Sequence, residues 1–339
     1  MKYITFAVPC YNSSAYMDKC LSSLLKAGED AEIIIVDDGS VKDDTAEKAD
    51  RYAEKYPNII RTVHQENKGH GGAVNTGIKN ATGKYFKVVD SDDWVEETAL
   101  NELMKTIKGF GEDDAPDAVV VNYVYEHVED NTRKIVRYKS EFPVGRPFEF
   151  SESRSFALGK FLAMHSLIYK TELIKSINLE LPEHTFYVDN IFVYKPLPYV
   201  NKFYYLNVDF YRYFIGRADQ SVSEKNLMAR IDQHLKVAEE VMDSYDLNSI
   251  KKTKKKLYNY MLDFLAIMVT ITSIYLIKIG TPESMEKKAA LWARFKKVDE
   301  KSYRKCKSKL IGLTASTRKS TCNLCKMIYK VARGIFKFN

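Results

Sequence analysis

Three acids fall within four residues in VVDSDDW, Val88 to Trp94. Asp90, Asp92 and Asp93 follow an apolar run, and carboxylates this close repel one another. A turn or a helix cap uses one such residue. Three call for full solvation or for a positive counterpart. Oxygen ligands of this kind suit a hard divalent cation such as Mg2+ or Mn2+, which takes one or two carboxylates and completes its shell with substrate phosphates. The competing reading is that Asp92 or Asp93 caps the helix expected over DDWVEETALNELMKTI. Two other apolar runs end on polar groups. EIIIVDDGS closes on Asp37 and Asp38, and FAVPCYN closes on Pro9 to Asn12.

These groups need a frame that brings them to one place. KYITFAV, AEIIIVDDGS, NIIRTVHQE and KYFKVV read as strands. Between them SAYMDKCLSSLLKA places Tyr16, Met17, Cys20, Leu21, Leu24 and Leu25 at helical spacing, and GHGGAVNTGIKNATG opens a helix with glycines. Strands alternating with helices predict an α/β fold with a parallel sheet and helices on both faces. Ligands bind such sheets beyond the carboxyl ends of the strands, so all three polar ends share one edge. From about Asp117 the pattern changes. DAVVVNYVYEHV and RKIVRYKSEF read as antiparallel strands, SRSFALGKF as the start of a helix, and the chain after Asn226 as helical.

FAVPCYNSSAYMDKCLSSLL, EIIIVDDGSVKDDT and NKGHGGAVNTGIKNATGKYFKVVDSDDW together resemble the nucleotide-diphospho-sugar transferase domain of family 2 glycosyltransferases. The resemblance is clear over about residues 1–110 and looser to about Ser223. It implies the GT-A fold, a Rossmann-like, mostly parallel sheet flanked by helices, over residues 1–225. Residues 1–115 would form the nucleotide-sugar donor half and 116–225 the acceptor half. A helical C-terminal extension with a basic amphipathic tail follows over 226–339. Site roles follow from the same resemblance. Pro9 and Tyr11 pack against the base, Asp38 hydrogen-bonds it, and Asp37 orients the loop. Asp90 and Ser91 lie on the ribose or base side. Asp92 holds Mn2+ or Mg2+, and Asp93 shares it. The Arg common before N-x-G in the family is Val74 here, with Lys68 nearby as a substitute phosphate contact. Gly69, Gly71 and Gly72 let backbone approach the donor. In PEHTFYVDNIF, Asp189 matches the second member of the family's Glu-Asp pair and is the expected base, although Val188 replaces the first member. Glu183 is the next candidate. FYRYFIGRADQSVS resembles the loop after the base, placing Arg217, Gln220 and Ser221 over the diphosphate or acceptor. His165 is expected by the acceptor cleft.

Composition narrows the class further. The chain has 339 residues and five scattered cysteines, the pattern of a reduced, cytoplasmic protein. Cys322 and Cys325 form one CxxC with no second pair, a weak zinc signal. The start MKYITFAVPCYN lacks a signal-peptide pattern. LDFLAIMVTITSIYLIKIG carries Asp263, Thr270, Thr272 and Ser273, and reads as a buried core helix rather than a span. KKTKKK, Lys251 to Lys256, reads as a solvated helix face. Net charge is +7, yet the chain from Lys301 onward holds eleven Lys and Arg and no acid. The first 300 residues are therefore net acidic, unlike a uniformly basic nucleic-acid binder. In CNLCKMIYKVARGIFKF one helical face carries Leu324, Met327, Ile328, Val331 and Ile335, while Lys326, Lys330, Arg333 and Lys337 fall elsewhere. Such a helix either lies in an anionic bilayer surface or packs on the protein's own body.

The expected protein is an inverting, metal-dependent transferase, cytoplasmic or peripheral on the inner face of the membrane. It takes a sugar from a UDP-linked donor to a hydroxyl of a growing cell-surface glycan or lipid-linked acceptor. Its rivals are a non-catalytic GT-A-like protein that binds glycans or partners, and a nucleotidyltransferase, whose glycine-rich phosphate signature is missing. Nucleic acid is not an expected partner.

Overall fold

ITFAVPC and AEIIIVD show no polar alternation, the pattern of strands covered on both faces. They form β1 (Ile4–Cys10) and β2 (Ala31–Asp37), and every residue of both is buried. Helix α1 (Met17–Leu24) joins them and buries Met17, Cys20, Leu21 and Leu24, the stripe its spacing predicts. Helix α2 (Thr45–Lys55) leads to β3 (Ile60–His64), and α3 (Gly69–Asn80) leads to β4 (Tyr85–Val88). β1 pairs in parallel with β2 and β4, and β2 with β3. The carboxyl ends of these four strands therefore lie on one edge, and the helix α3 starts there. The structure, a computed structural model, describes residues 1–111, 114–127, 130–157, 159–216 and 224–336.

Beyond β4 the sheet ceases to be parallel. β5 (Trp94–Val95) and α4 (Glu97–Lys108) precede β6 (Ala118–His127), which forms a hairpin with β7 (Thr132–Val136). After β8 (Pro147–Phe148), β9 (Leu167–Lys170) runs antiparallel between β4 and β6. The short helices α5 (Thr171–Ser176) and α6 (Asp189–Tyr194) lead into β10 (Phe203–Ile215), parallel to β6. Among the described residues ten strands form one mixed sheet, eight of them on the path β3-β2-β1-β4-β9-β6-β10-β5, with β7 paired to β6 and β8 to β10. The expected parallel pairing holds for its first four strands and for β6 with β10. The helix expected in SRSFALGKF does not form among its described residues. Its aromatics pack instead, with Phe156 against Phe142 and Phe150.

Contacts divide the chain into two compact units, Met1–Phe156 with Leu162–Arg217, and Ala157–Phe161 with Ala218–Asn339. The second is helical: α7 (Glu224–Ala229), α8 (Ile231–Asp243), α9 (Leu247–Thr253), α10 (Lys255–Ile279), α11 (Pro282–Val298), α12 (Glu300–Lys307) and α13 (Lys319–Phe336). Its core is α10, a helix long and apolar enough to cross a membrane by length and composition alone, with 78% of that apolar window buried in the protein. Gly280 ends it in the left-handed conformation, as glycines do at helix C-termini.

Thr272 of α10 donates its hydroxyl proton to the Met268 carbonyl (2.8 Å). The buried His234 of α8 therefore donates to Thr272 through Nδ1, also at 2.8 Å. Burial pushes the His234 imidazole down to about 4. The unfolded chain then binds the extra proton first, so stability is full above the ordinary histidine value and falls as pH drops toward 4. Urea unfolding from pH 7 to pH 5 should show a loss about 2 kcal/mol larger in wild type than in His234→Gln, which keeps the similar contribution of the buried His165. Equal pH slopes in the two proteins would remove His234 as the cause.

Candidate functional site

Position follows from the parallel order: β4 ends at Val88, and the DSDD turn projects from the shared carboxyl edge. Asp93 is 0% exposed. Its Oδ2 accepts the Tyr211 hydroxyl at 2.6 Å and its Oδ1 the Phe214 backbone N–H at 2.8 Å. The Tyr211 oxygen in turn accepts the Asp90 N–H at 3.1 Å. The acidic turn is thus tied to β10. Burial, and then the charges of Asp92 and Asp90, push the Asp93 carboxyl well above the usual range. Helix α4 is capped by Glu96, whose carboxylate accepts from Ala99 N at 2.7 Å. The reading of Asp92 or Asp93 as that helix's cap is corrected: β5 intervenes and carries the chain on to Glu96.

Asp90 meets an opposite charge. His70 Nε2 lies 2.8 Å from Asp90 Oδ1. Burial opposes protonation of His70, yet Asp90, with Asp189 and Asp92 behind it, carries the imidazole above its ordinary value. Burial likewise works against the Asp90 charge, and His70, His165 and Lys87 together hold its carboxyl below the usual range. Lys87 is fully buried, donates to the carbonyls of Met164 (2.7 Å) and His165 (2.9 Å), and is pushed by burial to about 7. It fixes the turn that presents His165.

The His165 ring stacks between Tyr211 and Tyr213, each centroid 4.6 Å away, and burial lowers it to about 4. Its buried Nδ1 has no hydrogen-bond partner. One ligand atom each from Asp90, Asp93 and His165 lie within 4.8 Å of one another. Carboxylates with a neutral imidazole fit a divalent transition metal such as Mn2+. His165 is therefore beside the acidic turn, where its expected place was the acceptor cleft.

Asp189 is the first residue of α6, and Val188 holds the N-cap position. Burial raises its carboxyl, His70 pulls it down, and Asp90 raises it again. Asp90, His70 and Asp189 thus share one electrostatic neighbourhood built from β4, α3 and α6. Glu183, the other candidate base, pairs instead with Lys68 (3.1 Å). The two side chains expected at the phosphates and at the base position hold each other.

Asp38 departs furthest from expectation. It is 2% exposed, and its carboxylate accepts from Gln65 Nε2 (2.6 Å), Asn67 Nδ2 (3.0 Å), Lys68 N (2.8 Å) and Gly69 N (2.8 Å). Four donors fill the usual acceptor capacity of a carboxylate. In this structure Asp38 therefore fastens the loop before α3. Asp37 does orient its own loop, accepting from Ser40 N at 3.1 Å. Gly69 is also reassigned. It has φ +74, and a side chain there would reach the His184 backbone at 3.0 Å; one at Gly71 would reach the Pro182 carbonyl at 2.4 Å. These glycines admit the 181–184 segment. Pro9 is buried within β1, while Tyr11 is 49% exposed at its end, facing solvent. Ser91 lies against the Cys10 thiol, and Asp92 is half-buried. Arg217, Gln220 and Ser221 lie outside the described residues.

Sequence reasoning missed His70, Lys87 and Tyr211. For His70 a signal existed: it is the one functional side chain among the glycines of GHGG, one helical turn before Val74 and so on the same face.

Residues 5–171 match the model for Glycosyl transferase family 2. The glycosyltransferase GlyA of Streptococcus pneumoniae serotype 4 is 30% identical over 244 residues, 68% of this chain and 33% of its own length. The chain thus spans about a third of that relative. Among solved structures, S. aureus TarS 1-349 in complex with UDP-GlcNAc superposes with a TM-score of 0.65 at 19% identity, covering 98% of this chain and 92% of that one. Mannosyltransferase PcManGT from Pyrobaculum calidifontis, in complex with GDP-Man and Mn2+, has a TM-score of 0.50 at 14% identity, covering 98% and 86%.

The tie between the acidic turn and β10 is testable by stability. Tyr211→Phe removes the hydroxyl that Asp93 and Asp90 N–H both use. Equilibrium urea unfolding should show a loss of about 1–3 kcal/mol, the cost of stranding buried polar groups. A loss under about 0.5 kcal/mol, within the range of neutral surface changes, would mean that the turn is held by other contacts.

Proposed function

The chain belongs to glycosyltransferase family 2 through residues 5–171, and from that premise we propose that it transfers a sugar, with inversion, from a UDP-linked donor to an acceptor hydroxyl. The observation that carries this reading is the meeting of Asp90, His70 and Asp189 at the carboxyl edge of the sheet. Donor and acceptor chemistry both need that edge.

Asp189 is the general base. It takes the proton of the acceptor hydroxyl as that oxygen attacks the anomeric carbon, and the bond to the diphosphate breaks with its electron pair leaving on the nucleotide. A carboxyl raised by burial is a stronger base than an exposed one, which suits this role. His70, held charged by Asp90, offsets negative charge on the donor side of the cleft. Asp90, Asp93 and His165, with Asp92 next to them in the acidic turn, would hold Mn2+ or Mg2+, whose charge would stabilise the leaving diphosphate. The UDP-GlcNAc bound by TarS supports a UDP-linked donor for this chain, and the Mn2+ bound by PcManGT supports a metal. A growing cell-surface glycan or lipid-linked sugar is the acceptor class we favour, at the cytoplasmic face of a membrane.

Donor binding is tested by calorimetric titration of UDP, with GDP as control, in Mn2+ and then in chelator. Wild type should bind UDP only with metal, and Asp92→Ala should bind at least roughly tenfold more weakly. No binding of either nucleotide under any metal condition would transfer the weight to a non-catalytic, glycan-binding role.

The base is tested separately by UDP release from UDP-sugars. Asp189→Asn should lower turnover by about 10²–10⁴-fold, the usual contribution of a general base, while UDP affinity stays within about threefold. Turnover near wild type would place the base elsewhere.

A further inference from the structure

The C-terminal helix α13 packs on its own unit with one face and leaves another uncovered. Cys322 and Cys325 are buried in an apolar cluster with Ile277, Met285 and Leu313. One turn on, the Tyr329 hydroxyl lies 2.9 Å from that of Tyr275. The CxxC is therefore a packing element. On the opposite side Leu324, Met327 and Val331 are 40%, 60% and 58% exposed. Their spacing of three and four residues sets them in one row along the helix. Lys319, Lys326 and Lys330 are exposed and form a second row, between the packed face and the apolar one. The side chains of Arg333 and Ile335 lie outside those described, as does Lys337.

Single exposed apolar residues need no explanation, but an aligned row of three beside a row of lysines does. The expectation that this helix packs on the protein's own body is met by its cysteine face, and the helix still presents an apolar row. Packing consumes the cysteine face, leaving the Leu-Met-Val face unpartnered.

We propose that this face docks α13 onto an anionic lipid bilayer. Leu324, Met327 and Val331 enter the headgroup and acyl boundary, and the lysine row meets the anionic headgroups. Charge selects this occupant. The chain from Lys301 onward carries eleven Lys and Arg and no acid, so a symmetric contact of this face with the same face of a second copy would bring only like charge together. A nucleic acid would be met by the lysines alone and would leave the apolar row uncovered. A bilayer satisfies both rows at once. Leu310, 67% exposed, adds a further apolar side chain in the same acid-free stretch. The inference is independent of the catalytic reading, and its test uses no turnover.

The full chain is sedimented with vesicles of phosphatidylcholine, alone or with about one third phosphatidylglycerol. Wild type should pellet with the anionic vesicles and bind the neutral ones roughly tenfold more weakly or less well still. The variant Leu324→Ser/Met327→Ser/Val331→Ser should lose roughly tenfold or more in partition, and Lys326→Glu/Lys330→Glu should lose a comparable amount. All five positions are exposed, so unfolding midpoints near wild type are expected and are measured alongside. Absence of wild type from the anionic pellet would overturn the proposal. Full binding by the triple serine variant would overturn it too, since charge alone would then suffice, as it would for DNA. So would sedimentation velocity showing a wild-type dimer that the triple variant turns into monomer, because a second copy would then cover the face.

Discussion

Crowded negative charge is the constraint around which the first unit is organised. Asp90, Asp92, Asp93 and Asp189 occupy one neighbourhood at the sheet edge, where removal from water makes repulsion stronger than in solvent. The protein resolves this differently for each acid. Asp93 is withdrawn from solvent altogether and held by the Tyr211 hydroxyl and the Phe214 N–H. Asp90 receives His70 as a direct partner and has Lys87 beneath it. Asp189 keeps a raised proton affinity. Identical side chains thereby acquire distinct properties, a structural lock, a stable anion and a carboxyl of raised proton affinity, from their surroundings alone.

The same logic runs through the loops on that edge. Asp38 gathers four donors from residues 65–69, which fixes the chain just before α3 and so sets where His70 points. The Lys68 carbonyl accepts from His184 N at 2.7 Å, and the Lys68 side chain pairs with Glu183. Asn75 adds a two-way clamp on Leu181, donating to its carbonyl at 2.8 Å and accepting its N–H at 2.9 Å. Segment 181–184 is thus anchored to α3 a few residues before Asp189. The placement of Asp189 therefore depends on polar bonds made by residues earlier in the chain. Loss of any one of them would shift the geometry at Asp189 without removing its carboxyl.

Much of the first unit was legible because its signals are local. Strands buried on both faces read as unbroken apolar runs, and their parallel order follows from the helices between them, so β1 to β4 and their shared edge could be drawn from sequence. The acidic turn, Asp189 and the basic tail were visible as residue types in place. The roles of Asp38, Gly69 and Lys68 were not, because each is set by a segment far along the chain: Asp38 and Gly69 by the 65–69 and 184 backbone, Lys68 by Glu183, 115 residues away. His70 was passed over for a related reason. Its neighbouring glycines draw attention to backbone, while its importance comes from Asp90, which only the fold brings within 2.8 Å. The antiparallel entry of β9 between β4 and β6 was equally hidden, since four residues, LIYK, carry no trace of their two partners.

His70 also bears on how the site tolerates Val74. Val74 is fully buried in α3 and offers no charge to the cleft. His70, one turn earlier on the same helix face, is a third exposed, and its contact with Asp90 raises its affinity for a proton. A cation at the start of a helix is unfavourable with respect to the helix dipole, which places positive potential at that end. Its presence there makes sense only because Asp90, Asp92 and Asp189 supply more negative charge than the dipole opposes. The helix terminus and the imidazole then act together, both presenting positive potential toward the acidic turn and toward an anionic ligand beside it. Removing the acids would therefore do more than subtract ligands: it would leave two positive elements facing each other, and His70 would lose its proton.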